Sequence, residues 1–357
     1  MKTVALIMAG GRGERFWPRS RRGLPKQFLS VTEDGMTLLQ KTVKRIEKLI
    51  PAEDIYICTN VSFAELVTKQ LPDVPSENVI FEPVGKNTAP CIGLAAVYIE
   101  KRVGDAVMLV FPSDHVIRDE DLFVCRLKEA CAVAEQGENL VTLGIEPAAP
   151  ETGYGYICFD EGRRFESAYA VERFEEKPDY DTALSYVESG KYLWNSGIFA
   201  WKLSAILGCF EKFLPDMYKR LLTIREAIGT KDADVVCANV YSRITPVSID
   251  YGIMENAESL YVIKCDFDWD DVGSWLALER LNPRDENGNV FIGNVSALAT
   301  ENCTAQTPEG KKTALIGLKD VVVVDTEDVL LISDKAKLAD IKEMLKMIRE
   351  NGQEEYL

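Results

Sequence analysis

The stretch Thr3-Val-Ala-Leu-Ile-Met8, running into Ala9-Gly10-Gly11-Arg12-Gly13-Glu14-Arg15-Phe16-Trp17-Pro18, decides how this chain folds. A run that is apolar on both faces cannot alternate between core and solvent. It therefore reads as a strand covered on both sides, as in a parallel sheet. The glycines that follow free the backbone to turn sharply and let N–H groups approach phosphate oxygens closely. In open α/β sheets, ligands bind at the carboxyl ends of the strands, where this loop falls. The loop does not fit the phosphate-binding pattern GxxxxGK[ST]. Nor does it fit GxGxxG, because Gly11-Arg-Gly13 is followed by Arg15-Phe16.

Outward from this strand, apolar runs alternate with helical spacing. Leu38, Leu39, Val43, Ile46, Leu49 and Ile50 recur as on one helix face. Residues 54–58 and 78–81 read as strands, with a helix over 61–71 between them. Asn87-Thr88-Ala89-Pro90 combines a capping residue with a proline in the first turn, which predicts a helix over 88–102. A second fully apolar strand spans 106–111, followed by a helix over 122–135 and a strand over 140–143. The pattern is that of an α/β fold with a mixed, mainly parallel sheet. Residues 152–275 mix short strands, glycine turns and helices. The segment 282–294, rich in Asn, Pro and Gly, predicts a boundary between a domain of residues 1–285 and a small C-terminal domain of residues 286–357. The latter reads as β-rich, with strands at 321–325 and 329–333. It ends in an amphipathic helix over 335–350 that carries Leu338, Ile341, Leu345 and Ile348 on one face.

Composition narrows the function. The 357 residues carry a formal net charge of −16, which repels nucleic acid and anionic lipid. Against that background Arg12, Arg15, Arg19, Arg21, Arg22 and Lys26 cluster with Glu14 as the only acid, which suits a small anionic ligand. Apolar stretches such as 91–99 fall well short of the roughly 20 residues that a membrane span needs. The N-terminal MKTVALIMAGG reads as a buried strand rather than a leader. Nine scattered cysteines without a CxxC pair point to no zinc site and fit a reducing cytoplasm. His115 is the single histidine, so chemistry that needs no general base is favoured.

Two acidic segments have the chemistry to hold a hard cation beside phosphates. Phe111-Pro-Ser113-Asp114-His115 ends an apolar strand, and Asp268-Trp-Asp-Asp271-Val-Gly273-Ser-Trp275 sets acids beside a glycine turn. Taken singly, the first is a common turn and the second a solvated loop as readily as a metal site. The segments Glu82-Pro-Val-Gly-Lys-Asn87-Thr-Ala-Pro90, Gly153-Tyr-Gly155-Tyr156, Phe174-Glu-Glu176-Lys177-Pro178, Trp194-Asn195-Ser-Gly197 and Ser248-Ile-Asp250-Tyr251 each mix glycine with polar groups suited to a sugar or a base. His115 reads as a turn residue sooner than an orienter of Asp114. Trp17, Trp194, Trp269 and Trp275 suit core packing as well as a pocket wall.

In this order and combination, these segments closely resemble the sugar-phosphate nucleotidyltransferase family, in its branch that makes GDP-mannose. The resemblance runs from about residue 3 to residue 275, and more loosely to about residue 350. It implies a Rossmann-like nucleotide-diphospho-sugar transferase domain. It also implies transfer of GMP from GTP to mannose 1-phosphate, with Mg²⁺ as cofactor, in the cytoplasm, with no nucleic acid or membrane partner. Ala9, Gly10, Gly11, Gly13, Asn87 and Ser113 correspond to nucleotide-binding positions, Asn87 lying in the segment tied to guanine. Arg15 and Lys26 correspond to residues on the nucleotide phosphates. Lys177 corresponds to the residue that reaches the sugar phosphate. Asp114 and Asp271 match the metal-binding aspartates. Gly155, Glu176, Asn195 and Asp250 match the sugar pocket. Lys86, Glu14 and Gly252 stand where Arg, a small hydroxyl residue and Ala are more frequent. A chain of this length is not expected to carry the fused isomerase domain of bifunctional relatives, while its C-terminal region suits either a homodimer contact or a cap on the main domain. Other readings are a transferase of glucose 1-phosphate with UTP or dTTP, a non-catalytic sensor of sugar nucleotides, and a glycosyltransferase using Asp266-Phe-Asp268 or Asp268-Trp-Asp270. The asparagine-led NTAP segment, the presence of Lys26, Asp114 and Asp271 together, and the remaining motifs weigh against each in turn.

Overall fold

Val4, Ala5, Leu6 and Ile7 are fully buried in the computed structural model, which describes residues 1–31 and 34–357. They form β1 (Thr3–Met8), which has a parallel strand on each edge, β2 (Ile55–Asn60) and β4 (Val107–Pro112). The described residues divide into two compact units. One comprises residues 1–10, 42–113 and 117–269, the other residues 11–41, 114–116 and 270–357. The chain passes from the first unit to the second between Gly10 and Gly11.

Within the first unit lie nine strands of one sheet. Besides β1, β2 and β4 these are β3 (Val79–Glu82), β6 (Leu140–Ile145), β7 (Gly155–Phe165), β8 (Ala168–Glu176), β9 (Tyr192–Lys202) and β10 (Leu260–Cys265). Their order is β3-β2-β1-β4-β9-β6-β10-β8-β7. The two-residue strands β5 (Val116–Ile117) and β11 (Trp269–Asp270) lie outside it. The sheet is mixed, as the sequence indicates. β1 to β4 are mutually parallel, and so are β6 and β10. β9 runs antiparallel to β4, β6 and β7, and β8 runs antiparallel to β7 and β10. Antiparallel pairing is thus a larger share than the apolar runs suggest. It comes from residues 155–202, where register shifts at Cys158/Phe159 and Asp160/Arg164 break up the alternation that would mark such strands.

The helices of this region follow from local signals. The short α1 (Leu38–Ile46) and α2 (Ala64–Gln70) precede α3 (Thr88–Val103), which begins at the predicted cap: the Asn87 side chain accepts from the Thr88 N–H at 2.8 Å. It is apolar nearly all round and correspondingly buried. α4 (Glu120–Glu135) starts two residues before the expected position because Asp119 caps it, accepting from the Leu122 N–H at 3.0 Å. α5 (Tyr180–Ser189), α6 (Leu203–Phe213), α7 (Pro215–Ala227) and α8 (Ala233–Tyr241) follow. Gly93 on α3 permits close approach of its neighbours: a Cβ there would lie 2.5 Å from Leu221 Cδ1 on α7 and 3.1 Å from the Phe210 ring on α6.

The second unit has its own core, including Phe16, Trp17, Leu29, Val272, Trp275, Leu338 and Leu345. The Phe16 and Trp275 rings lie 5.0 Å apart, and Trp275 Nε1 donates to the Trp17 carbonyl at 2.9 Å. After α9 (Ala277–Leu281) come β12 (Val290–Ile292), β13 (Val295–Leu298), β14 (Thr304–Gln306), β15 (Thr313–Ile316), β16 (Val321–Asp325) and β17 (Leu330–Asp334). β12, β14 and β16 stack in parallel, as do β13 and β15, while β17 closes antiparallel on β16. Short parallel strands recurring along successive turns of chain make a small solenoid. The expected β-rich region ending in a helix is present. The first six residues of that helix are instead a 3₁₀ segment, Lys335–Asp340, capped by Asp334, and α10 proper is Ile341–Glu350. Among the described residues no helix is long and apolar enough to cross a membrane.

Gly93 generates a stability prediction. Gly93→Val adds a branched side chain where a single Cβ already overlaps Leu221, and overpacking of this kind costs about 1–3 kcal/mol. A urea midpoint lowered at unchanged slope is expected, and an unchanged midpoint would mean that α3 and α7 have slack to spare.

Candidate active site

In the second unit the glycine-rich loop makes a tight left-handed turn at Gly13, with φ +61°. A Cβ on Gly13 would lie 2.4 Å from the Lys26 Cβ and 2.7 Å from the Lys26 backbone nitrogen. Only glycine fits there, both for its φ and for the closeness of Lys26. Two side chains hold the turn. Ser20 Oγ donates to the Gly13 carbonyl at 2.7 Å, and Gln27 Nε2 donates to the Gly11 carbonyl at 3.0 Å. Neither contact is legible as a motif, since Ser20 and Gln27 are seven and sixteen residues from their partners.

Lys26 is 5% exposed. Its ammonium donates to Asp114 Oδ2 and to the Asp271 carbonyl, each at 2.8 Å. It also lies 5.4 Å from the centre of the Phe16 ring. Three residues that the motifs singled out separately therefore meet. Burial pushes the Asp114 carboxyl up, but the nearby Lys26 and His115 outweigh it and hold it below its ordinary range. His115 Nε2 sits 3.9 Å from Asp114 Oδ1, within ion-pair reach of the carboxylate rather than hydrogen-bonded to it.

Asp271 owes its position to the glycine turn. Its Oδ1 accepts from the Gly273 N–H at 3.0 Å, and a Cβ on Gly273 would lie 2.7 Å from its Oδ2. The adjacent Asp270 does different work: it accepts from the Val272 N–H at 2.7 Å and pairs with Arg280. Asp271 and Asp114 line one cleft of about 360 Å³ with Arg12, Gly13, Arg15, Phe16, Lys26 and His115. Lys342, on α10, lines it as well. The sequence reading missed Lys342, since a lysine on the polar side of an amphipathic helix carries no signal beyond solvation.

A second cluster forms in the first unit. Asn195 Nδ2 donates to Asp250 Oδ1 at 3.0 Å, and Asn195 Oδ1 accepts from the Gly197 N–H at 3.1 Å. Gly155 lies against both Glu176 and Asn195. A Cβ there would be 2.5 Å from Glu176 Oε2 and 3.4 Å from the Asn195 Cβ. Glu176 pairs with Lys177, whose own φ is +50° and whose side chain is 56% exposed. All five sugar-segment residues, Gly155, Glu176, Lys177, Asn195 and Asp250, are thus brought together. Burial, reinforced by the charge of Glu176, pushes the Asp250 carboxyl up to about 7. Tyr154 packs edge-on against both Trp194 and Trp269, 5.1 and 5.4 Å between ring centres. Trp17 and Trp275, by contrast, belong to the core of the second unit.

The other nucleotide-segment residues of the first unit lie at strand and helix ends. The Ala9 N–H donates to the Cys58 carbonyl at 2.7 Å, and the Ala9 carbonyl accepts from Thr59 Oγ1 at 2.9 Å. A Cβ on Gly10 would lie 2.9 Å from Glu82 Oε2. Ser113 is buried, its carbonyl accepting from Thr42 Oγ1 at 3.4 Å. Asn87 is exposed with φ +76°. Next to it, Thr88 Oγ1 accepts from the Ile249 N–H at 2.8 Å, which ties the start of α3 to the residue preceding Asp250.

Comparisons with known proteins bear on the fold and the family. A nucleotidyl transferase family model matches residues 4–288, and a MannoseP isomerase/GMP-like beta-helix domain model matches residues 293–348. The chain is 40% identical to a mannose-1-phosphate guanylyltransferase of Salmonella muenchen, over 99% of this chain and 75% of the relative. It is 38% identical to one of Klebsiella pneumoniae over the same shares. Among solved structures, one described as a mannose-1-phosphate geranyltransferase from Thermus thermophilus superposes with a TM-score of 0.87 at 35% identity, covering 98% of this chain and 100% of that one. The expected fold and family are borne out: the chain belongs to the nucleotidyltransferase family, among its mannose-1-phosphate guanylyltransferases.

Proposed function

We propose that this enzyme transfers GMP from GTP to α-D-mannose 1-phosphate, releasing pyrophosphate and forming GDP-mannose. The observation that carries the reading is the buried Lys26 ammonium, which bonds Asp114 and the Asp271 carbonyl in a cleft shared with Gly13 and Arg15. A glycine turn, two cations and two carboxylates are the parts that phosphoryl-group transfer needs, because its main obstacle is charge repulsion. The nucleophile is a phosphate oxygen of the sugar phosphate. Phosphate is already ionised near neutral pH, so no general base is required, in keeping with a chain that has one histidine. A bond forms between that oxygen and the α-phosphorus of GTP, and the bond from the α-phosphorus to the departing pyrophosphate breaks.

Arg15 and Lys26 act on the nucleotide phosphates, and Ala9, Gly10, Gly11, Gly13 and Ser113 supply backbone around them. Asn87 reads the guanine. Gly155, Glu176, Asn195 and Asp250 hold the mannose, and Lys177 its phosphate. Asp114 and Asp271 would hold Mg²⁺; both offer hard carboxylate oxygens in one cleft, and Asp114 already carries a cation in the form of Lys26. The ion would supply neutralisation of the phosphate charges.

The direct test is pyrophosphate release over a panel of GTP, UTP, dTTP and ATP with mannose 1-phosphate and glucose 1-phosphate, with and without Mg²⁺. Turnover is expected with GTP, mannose 1-phosphate and Mg²⁺; none with that set would overturn the reading. Lys26→Ala removes a charge-stabilising donor and should lower turnover on the order of 10²-fold, whereas near-normal turnover would sink its role. Asp250 adds a pH signature. The folded chain holds its proton more tightly than the unfolded chain, so this contribution to stability is complete below the ordinary carboxylate pKa. It is lost as pH rises through about 7. Asp250→Asn cannot ionise. Its thermal midpoint should therefore gain on the native chain as pH rises from 5 to 8, and a pH-independent difference would show that Asp250 is not perturbed as described.

A further inference from the structure

Spacing along the chain gives no sign of paired metal-binding thiols, yet the fold assembles a buried set. Cys58 on β2, Glu82 at the end of β3 and Cys91 in the opening turn of α3 each offer one ligand atom, and these three atoms lie within 4.8 Å of one another. The residues are 0%, 3% and 4% exposed. All belong to the first unit, and none is among the residues assigned to the reaction above.

We propose that Cys58, Glu82 and Cys91 form a structural zinc site. Two sulfurs and one carboxylate oxygen suit a borderline-soft ion such as Zn²⁺ and suit Mg²⁺ poorly. Bonds of about 2.3 Å to sulfur and about 2.0–2.2 Å to oxygen would bring the ligand atoms somewhat closer than their present limit of 4.8 Å. The donors come from three different elements, so the ion would tie two strands to a helix. Cys91 stands at the positive end of α3, where the helix favours a thiolate. Outside the set, the Tyr241 hydroxyl donates to Glu82 Oε1 at 2.6 Å, the kind of hydrogen bond that orients a ligating carboxylate. The Cys58 thiol makes a long contact of 3.9 Å to the Cys91 carbonyl. The contact between the two cysteines lowers the Cys58 thiol and raises that of Cys91, and burial raises both, leaving both above their ordinary range. Zinc would displace their protons, so its retention would weaken as pH falls.

The site also has a place in the architecture. The Cys58 carbonyl accepts from the Ala9 N–H at 2.7 Å, and Glu82 Oε2 lies against Gly10. An ion here would tie the exit of β1 to the start of α3.

The test uses the whole chain. It is unfolded in guanidinium chloride with a chelator, then refolded with equimolar Zn²⁺ or Cd²⁺ in excess Mg²⁺, which fills the hard carboxylate sites. After gel filtration, about one zinc per chain is expected, with a raised thermal midpoint. The cadmium form should show an ultraviolet thiolate-to-metal band. The double variant Cys58→Ser, Cys91→Ser should lose the band and most of the zinc, while Cys125→Ser, at an exposed cysteine, should lose neither. Retention below about a tenth of an equivalent by the folded native chain would overturn the site. So would the absence of a thiolate band, or undiminished zinc in the double variant. If the serine variants do not fold, the cadmium spectrum of the native chain decides alone.

Discussion

A buried ammonium must be neutralised within hydrogen-bond reach, and around Lys26 that requirement organises the second unit. An unpaired charge out of water is far costlier than any single packing contact. Lys26 therefore needs Asp114 and the Asp271 carbonyl, and both need segments far from it in the chain to be held in place. The turn at Gly13 is part of the same constraint. With a side chain there the loop would have to lift away from Lys26, whose Cβ and backbone nitrogen occupy the space. The Asx-like turn from Asp271 to Gly273 meets the same need from the other side, fixing the carbonyl that Lys26 requires. The cleft's chemistry is thus a consequence of how one cation is satisfied.

The first unit solves the opposite problem. Asp250 and Glu176 are acids that crowd each other in a buried corner, with the nearest counter-charge, Lys177, largely in solvent. Asn195 lowers the cost by donating to Asp250 while its own oxygen is taken by the Gly197 N–H. The result is a fixed set of donors and acceptors with a carboxyl that titrates near neutrality, suited to hydroxyl groups more than to a second charge. The cluster in the second unit is built around a buried cation, and the cluster in the first is acidic and amide-rich.

Much of this was legible in the residues. The continuous apolar run at Thr3–Met8 and the Asn87 cap with Pro90 in the first turn each carry a local physical signature, and each appears where that signature places it; the terminal amphipathic helix is present too, beginning six residues later than its pattern indicates. The site segments were legible as motifs, with Gly13, Lys26, Asp114 and Asp271 picked out together. What was not legible is what makes them a site. Ser20 and Gln27 act through carbonyls, Lys342 reads as solvated surface, and Tyr241 carries no mark of its partner 159 residues away. The antiparallel strands were blurred for a related reason: bulges shift their period, and period is what a sequence reading measures.

By itself, then, the sequence determined the continuous apolar strand Thr3–Met8, the helix capped by Asn87, the amphipathic character of the C-terminal segment, and which residues carry charged or polar chemistry. Those properties depend on neighbours within a few positions, so they survive in one dimension. Only the tertiary structure decided that Lys26 is buried on Asp114, that Asp250 shares a corner with Glu176, and that Cys58 and Cys91 face each other with Glu82 between three elements. Burial and Coulomb interaction act through space at a few ångströms. Sequence separation carries no information about which distant groups will come that close.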